Sequence, residues 1–142
     1  MLNLDLIKNK IRRIQEYLDN ARGILVLGET EIVNNRDKLA ALERYFQLIV
    51  ECMLDINMHF IREYNFEAPD SLKNTFSILG ENKILPYEFA QKIAPLTGLR
   101  NKLVHGYEKI DRAKFVRDFI KNEKDFDTYM LQINTVLESE IE

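Results

Sequence analysis

The sequence predicts an all-α fold, an antiparallel bundle of four or five helices with short connections. Along most of the 142 residues, apolar side chains recur at alternating spacings of three and four, which is the period of an amphipathic helix. No segment shows the strict apolar–polar alternation of a half-buried strand. Most glycines and prolines stand between the periodic segments, where they indicate connections. A chain of this length can bury one substantial core, so we expect a single domain at 1–142.

The first predicted helix is followed by an irregular or weakly helical connection. The helix is expected to end near Gly23, where its apolar pattern stops. Its inward positions are Leu4, Ile7, Ile11, Ile14, Leu18 and Ala21. The connection then runs through Gly28 to Asn35. Asn34, three residues before Asp37, resembles the capping residue of the next helix.

A long helix from about 36 to 64 is the predicted spine of the fold. Its inward positions are Leu39, Leu42, Phe46, Ile49, Met53, Ile56 and Phe60. The segment 65–70, which contains Pro69, interrupts the pattern. Ser71 to Leu79 is typical of a shorter helix, and Gly80 is expected to close it.

Two further helical regions complete the predicted bundle. Pro86 suits the first turn of a fourth helix that runs to about His105, where Gly106 is expected to stop it. Pro95 should kink or split this helix. Its inward positions are Leu96, Leu99 and Leu103. The last region begins near Asp111, with 122–125 as a candidate interruption, and its apolar positions are Phe115, Phe119, Phe126, Met130, Ile133 and Leu137.

Charge is distributed unevenly along the chain. The net charge is −3, which argues weakly against a nucleic-acid-binding protein. From Arg100 to Lys121, however, seven basic residues stand against three acidic ones, so this segment is +4 and the remainder is −7. The basic residues are Arg100, Lys102, Lys109, Arg112, Lys114, Arg117 and Lys121. The segment predicts either a surface that attracts a polyanion or a solvated helix face with ion pairs.

Several classes of site and compartment find no support in the sequence. The lone Cys52 lies in an apolar run, which predicts a buried structural thiol. Two isolated histidines and one cysteine form no zinc pattern, and no glycine-rich phosphate loop occurs, so no metal or cofactor is predicted. No stretch approaches the ~20 apolar residues of a membrane span, and the N-terminal residues lack the apolar core of a signal peptide. The cytoplasm is the expected compartment.

Reactive side chains are concentrated between Arg100 and Tyr107. Arg100 offers a planar fork of donors to phosphate oxygens, and His105 can exchange protons near neutral pH. Asn101 lies four residues before His105 and can orient its ring, while Tyr107 carries a modifiable hydroxyl. Five helical steps separate the arginine and the histidine by about 140°, so both reach one atom only if the helix unwinds at Gly106 or if two subunits contribute.

The long helix also has a second, mixed face. Its polar positions are Arg44, Glu51 and Asp55, flanked by Leu48, Cys52 and Met58. So much apolar circumference needs cover, either from a homodimer or from deeper burial within the monomer. Glu51 and Asp55 are weak candidates to orient Arg100, the alternative being a solvent face or an interface ion pair. His59 continues this polar row and is expected at the surface or in an interface.

The pattern Arg100-Asn101-x-Leu103-Val104-His105-x-Tyr107 resembles the Arg-x4-His-x-Tyr signature of the HEPN superfamily, the higher eukaryotes and prokaryotes nucleotide-binding domain, in its HepT-like toxin branch. The upstream residues Glu43, Arg44, Gln47, Glu51, Asp55 and Ile56 are similar to the long second helix of that family. The similarity in helix order and length covers most of the chain. Pro95, just before the motif, departs from the family pattern.

The resemblance implies a metal-independent endoribonuclease that acts as a homodimer, with its two motifs meeting in a cleft. Arg100 and His105 are then the catalytic residues, and Asn101 and Tyr107 support them. It also implies a toxin that is neutralised when a nucleotidyltransferase antitoxin transfers AMP to Tyr107. The expected partners are therefore RNA, the antitoxin and a second copy of the chain, with no membrane involved.

Other functions stay open on the sequence alone. The principal alternative is a non-catalytic HEPN-type subunit that binds a nucleotide or a nucleotidyltransferase. A purely structural helical adaptor is the third possibility. Outside a catalytic site, Arg100 is a surface cation and His105 is a histidine stabilised by the dipole at the helix C-terminus.

Overall fold

The computed structural model describes residues 1–106 and 109–141, and within these ranges helices joined by short connections form the whole architecture. The helices are α1 (Leu4–Leu25), α2 (Glu29–Val33), α3 (Arg36–Glu63), α4 (Leu72–Glu81), α5 (Tyr87–Ile93), α6 (Leu96–His105), α7 (Arg112–Asn122) and α8 (Lys124–Ile141). The predicted all-α fold is confirmed. The fourth and last predicted helices are each divided in two, and the connection after α1 contains the short α2. None of the described helices is long and apolar enough to cross a bilayer.

Four helices begin where a polar side chain accepts a backbone hydrogen bond from the first turn. These capping residues are Asn3 for α1, Asn35 for α3, Ser71 for α4 and Asp111 for α7. The cap predicted at Asn34 is wrong by one residue. Asn34 has helical backbone angles and ends α2, whereas Asn35 is extended at φ −115° and ψ 99°, which is the conformation that a capping residue adopts.

Two glycines at which the sequence predicts helix ends lie inside helices. The first helix continues past Gly23 to Leu25 because Ile24 and Leu25 are buried and extend its apolar face. Gly80 lies within α4, at a point where α5 packs very close. A Cβ atom at this position would lie 2.8 Å from the Cβ of Ala90, so glycine here permits helix contact rather than chain reversal.

Pro95 divides the predicted fourth helix, as expected. It has no N–H to donate to the carbonyl four residues earlier, so α5 ends at Ile93 and α6 begins at Leu96. Gly106 then ends α6 in the left-handed conformation, with φ 71°, and its N–H donates to the Lys102 carbonyl at 3.0 Å.

The long helix α3 is the spine of the core. All of its predicted inward positions are buried. Its Phe46 ring meets the rings of Phe115 and Phe119 in edge-to-face contacts, with centroids 5.3 and 5.7 Å apart, and so attaches α7 to the spine. The second face of α3 is covered in part within the chain: Cys52 is buried, and Leu48 and Met58 are half-buried. Burial raises the pKa of the Cys52 thiol, in agreement with the structural role predicted for it.

His59 is only 7% exposed, so the surface or interface position expected for it is wrong. The start of α1 packs over this turn of α3, and the backbone N–H of Asn3 donates to His59 Nε2 at 2.9 Å. Burial lowers the pKa of His59, because desolvation disfavours the charged imidazolium. The neutral ring can then accept this hydrogen bond.

Candidate active site

The last two turns of α6 carry Arg100, Asn101 and His105. The helix packs on the core through three half-buried leucines, Leu96, Leu99 and Leu103, which confirms their inward orientation. Because Gly106 ends the helix immediately after His105, the histidine is exposed at the C-terminal end of α6 rather than enclosed by a further turn.

The guanidinium of Arg100 is held from two sides. Its Nη2 donates to Oε1 of Glu51 at 2.7 Å, and its Nη1 donates to Oδ1 of Asn101 at 3.0 Å. The Arg100 side chain is 20% exposed, and its Nε is buried without a hydrogen-bond partner among the described residues. A buried donor in this state favours an added acceptor, such as a phosphate oxygen or a water.

Glu51 and Asp55 behave differently although they lie one turn apart on α3. Glu51 is 34% exposed and forms the ion pair with Arg100 across the contact between α3 and α6. Asp55 is 57% exposed and instead pairs with Lys10 of α1, at 2.8 Å. The structure therefore brings Glu51 to the arginine and attaches Asp55 to the first helix.

The relation between Arg100 and His105 is that of a regular helix. α6 remains helical through His105, so the end does not unwind before the histidine. The two side chains therefore leave the axis about 140° apart. Asn101 lies between them and its oxygen is bonded to Arg100, whereas its proposed role in orienting His105 stays a prediction.

Tyr107, the predicted supporting residue and site of AMP transfer, lies outside the described residues, as does Glu108. The nearest described backbone on either side is that of Gly106 and Lys109.

Ion pairs neutralise part of the basic segment. Arg112 pairs with Glu43 at 3.0 Å, Lys114 with Asp118 at 2.6 Å and Arg117 with Glu29 at 2.8 Å. The exposed Lys102, Lys109 and Lys121 form no ion pair with any described residue. Most cations of α7 are therefore paired across the fold or along the helix, as expected for a helix face with ion pairs, whereas the surface that attracts a polyanion stays a prediction.

The described residues contain no group of three or more histidine, cysteine, aspartate or glutamate side chains placed to hold a metal ion. The functional groups at the end of α6 are the fixed guanidinium of Arg100, the exposed imidazole of His105 and nearby lysines. Lys102, Lys109 and Lys114 line a pocket between α6 and α7, which the sequence does not predict. The spacing of Lys102 three residues before His105 is the one signal that could have pointed to it.

Comparison with known proteins gives consistent matches over nearly the whole chain. A family model described as "Ribonuclease HepT-like" matches residues 7–133. The tRNA nuclease HepT of Aphanizomenon flos-aquae is 30% identical over 139 residues, which cover 96% of this chain and 95% of that protein. The mRNA nuclease HepT of Shewanella oneidensis is 25% identical over 127 residues, 87% of each chain.

Solved structures show the same fold. A tri-AMPylated HEPN toxin of Shewanella oneidensis, in complex with an MNT antitoxin, superposes with a TM-score of 0.84 at 21% identity, over 92% of this chain and 98% of that one. A cytosolic protein of unknown function from Bacillus subtilis, YutE, has a TM-score of 0.71 at 22% identity, over 91% of both chains.

Proposed function

The chain belongs to the ribonuclease HepT-like family, and from that premise we propose that it is a metal-independent endoribonuclease, the toxin of a toxin–antitoxin pair. The observation that carries the proposal is the fixed guanidinium of Arg100, bonded to Glu51 and Asn101 about one and a half turns before an exposed histidine. RNA is the substrate class because the two curated relatives are named as nucleases of tRNA and of mRNA.

The proposed reaction needs only groups that this chain supplies. The ribose 2′-hydroxyl attacks the adjacent phosphorus, its proton passes to a base, and the bond from phosphorus to the 5′-oxygen breaks as that oxygen takes a proton. His105 serves in proton transfer, and Arg100 stabilises the additional negative charge on the phosphate oxygens. Because the nucleophile is part of the substrate, no metal-bound water is required.

Glu51 and Asn101 are proposed as positioning residues. A free arginine side chain samples many rotamers, and holding two of its nitrogens removes that freedom before the substrate binds. The carboxylate restrains Nη2 and the carboxamide restrains Nη1, so the orientation of the guanidinium plane is set from both sides. Phosphate then meets a cation that needs little further ordering.

We further propose that the working site combines two subunits. Since α6 is helical through His105, the arginine and histidine of one chain diverge by about 140°. A two-fold axis near the end of α6 brings Arg100 of one subunit towards His105 of its partner and produces the cleft that the family resemblance implies. Such a dimer also covers the half-buried apolar residues that remain on α3.

The partner that neutralises the toxin is proposed to be a nucleotidyltransferase antitoxin, with Tyr107 as the acceptor of AMP. The support is the fold shared with a tri-AMPylated HEPN toxin bound to an MNT antitoxin. AMP on a tyrosine two residues after His105 adds bulk and negative charge where RNA has to approach. We place the protein in the cytoplasm, where RNA and the antitoxin are available. Co-expression with a nucleotidyltransferase, followed by mass analysis of the peptide that contains Tyr107, tests this assignment.

Substitution of His105 tests the nuclease proposal. We expect His105→Ala to lower RNA cleavage by at least about 100-fold, since general acid–base catalysis contributes that much or more. Cleavage by the unmodified chain should persist in a metal chelator. The matched control is His59→Gln, which replaces the only other histidine of the chain and keeps a hydrogen-bond acceptor.

The alternative function, a non-catalytic subunit that binds a nucleotide or a nucleotidyltransferase, makes the opposite prediction. A correctly folded unmodified chain that cleaves no RNA under any condition supports this alternative. Activity that is unchanged in His105→Ala removes the histidine from the mechanism.

A further inference from the structure

A group of lysines lies beside the motif, on the side of α6 that faces α7. The end of α6, residues 109–111 and the first turns of α7 enclose a pocket of about 300 Å3. Three lysines line it, Lys102, Lys109 and Lys114, together with the carboxylates of Asp111 and Asp118. The rest of the lining is apolar, from leucine, isoleucine and phenylalanine side chains. We refer to it as the lysine pocket.

The charges of the lysine pocket are only partly satisfied within the fold. Lys114 pairs with Asp118 at 2.6 Å, and the Asp111 carboxylate accepts the backbone N–H of Lys114 as the cap of α7. Lys102 and Lys109 are exposed and form no ion pair with the described residues. Two lysines that pair with no described carboxylate and line a concave surface produce a local positive potential that attracts an anion.

The lysine pocket has a defined position relative to the proposed catalytic groups. Lys102 precedes His105 by three residues, so the two side chains leave α6 about 60° apart and are neighbours on its surface. Arg100 leaves the helix on the other side of His105. An RNA strand that places a phosphate at His105 therefore passes the lysine pocket within about one nucleotide, since one helical turn rises about 5.4 Å.

We propose that the lysine pocket binds the phosphodiester of a nucleotide adjacent to the cleaved one in single-stranded RNA. This inference rests on the nuclease function proposed above. Lys102 and Lys109 donate to the phosphate oxygens, and Lys114 exchanges its partner Asp118 for the phosphate. The apolar lining accepts the ribose or the face of a base, as in other single-strand binding surfaces that combine cations with apolar contacts.

A binding experiment tests the lysine pocket without requiring turnover. The probe is a short fluorescent single-stranded oligonucleotide that carries the bases of RNA on 2′-deoxy sugars. It cannot be cleaved by attack of a 2′-hydroxyl, because it has none. We expect the double variant Lys102→Gln/Lys109→Gln to bind it about three- to tenfold more weakly. We also expect the plot of log affinity against log salt concentration to become shallower by about 0.7, because the variant neutralises one phosphate fewer than the unmodified protein does.

Two further variants distinguish binding at the lysine pocket from a general effect of net charge on affinity for the probe. Lys8→Gln/Lys73→Gln changes the net charge equally at exposed lysines outside the lysine pocket and should leave affinity and slope unchanged. Asp118→Asn removes a negative charge from the lysine pocket and should tighten binding, which is opposite in sign to the lysine change. Equal affinities for both double variants, or weaker binding by Asp118→Asn, overturn the proposal.

Substrate length gives a kinetic readout that also separates this proposal from the nuclease assignment. The lysine substitutions should raise KM for a long RNA several-fold and should change kcat/KM less for a dinucleotide than for the long RNA, because a dinucleotide has only the scissile phosphate. If the unmodified chain cleaves no RNA, the nuclease function fails, while the deoxy probe still decides whether the lysine pocket binds a polynucleotide. If the chain cleaves both substrates and the variants match the control, only the lysine pocket is ruled out.

Discussion

A single guanidinium shows how much of a site is set by contacts outside a sequence motif. Arg100 belongs to the motif because of its spacing to His105. Its orientation, however, depends on Glu51 of α3, which lies 49 residues earlier in the chain. The bond to Asn101 restrains it from the other side. Because the Arg100 side chain is four-fifths buried, both contacts are partly shielded from water and hold the cation more firmly than surface pairs do.

The charge on Glu51 should matter more for catalysis than for folding. Glu51→Gln retains an oxygen that accepts from Arg100 but loses the charge, and we expect kcat for RNA cleavage to fall about tenfold, the cost of one charge-assisted hydrogen bond. Asp55→Asn, one turn later on α3, removes only the exposed pair with Lys10 and serves as control. A variant Glu51→Asp should recover part of the activity. Equal kcat values for Glu51→Gln and Asp55→Asn contradict a positioning role.

Acid should weaken the attachment of the N-terminus through His59. Burial lowers the pKa of His59, so the folded protein binds a proton less readily than the unfolded chain, and this contribution to stability is complete above about pH 6.5. It is lost as the pH falls through the depressed pKa of the folded state. Thermal unfolding between pH 8 and pH 5 measures it: Tm of the unmodified protein should fall more below about pH 6.5 than that of His59→Gln. Parallel curves argue against this linkage.

Residue chemistry alone can predict the motif but not every partner. Arg100 and His105 stand out because few side chains combine phosphate binding with proton transfer. Glu51 and Asp55 occupy the same face of α3, and the choice between them depends on where Lys10 of α1 arrives. The surface position predicted for His59 is wrong for a similar reason, because a polar row along one helix does not reveal that the N-terminus of another helix covers it.

Helix bounds follow from the sequence where burial has a regular period, and less well where glycine is the signal for an end. The bounds of α3 agree with the prediction to within one residue, since its apolar positions repeat without interruption. Glycine, by contrast, has two uses. It ends a helix at Gly106, and it permits a close contact between two helices at Gly80. Only the packing of α5 on α4 distinguishes the two uses, and a local pattern carries no such information.

Alanine substitutions at two helical glycines should have opposite effects. Gly80→Ala places a Cβ 2.8 Å from that of Ala90 and should destabilise the fold by about 1–3 kcal/mol, the usual cost of overpacking. Gly23→Ala meets no atom within 4 Å inside α1 and should stabilise the fold by about 0.5–1 kcal/mol, because alanine loses less backbone entropy. Urea unfolding measures both. A stable Gly80→Ala protein shows that α5 can retreat from α4 at little cost.

At the scale of the whole molecule, the all-α architecture follows from periodicity, whereas the assembly does not. The second face of α3 is covered in part by its own chain, with Cys52 buried and Leu48 and Met58 left half-buried. Apolar periodicity cannot say which surface covers the remainder. The regular helix through His105 is the better guide to assembly, because it sets two proposed catalytic groups on diverging sides of α6.

Mixed dimers test whether a site combines two chains. Arg100→Ala and His105→Ala chains should each be inactive alone. Refolded together, they should regain about a quarter of the unmodified activity, because half of the dimers are mixed and each mixed dimer has one site with both residues intact. The measurement is RNA cleavage per mole of chain after co-refolding at equal concentrations. Continued inactivity of verified mixed dimers places both groups of each site in a single chain.

The single cysteine has a practical consequence for following such a dimer. Cys52 is buried and its thiol resists ionisation, so alkylating reagents should reach it slowly. A new cysteine at the exposed Val104, beside the histidine, then becomes the one fast-reacting handle on each chain. With a spin label on this cysteine in each subunit, electron paramagnetic resonance can measure the distance between the ends of the two α6 helices in the dimer. The native thiol does not have to be removed first.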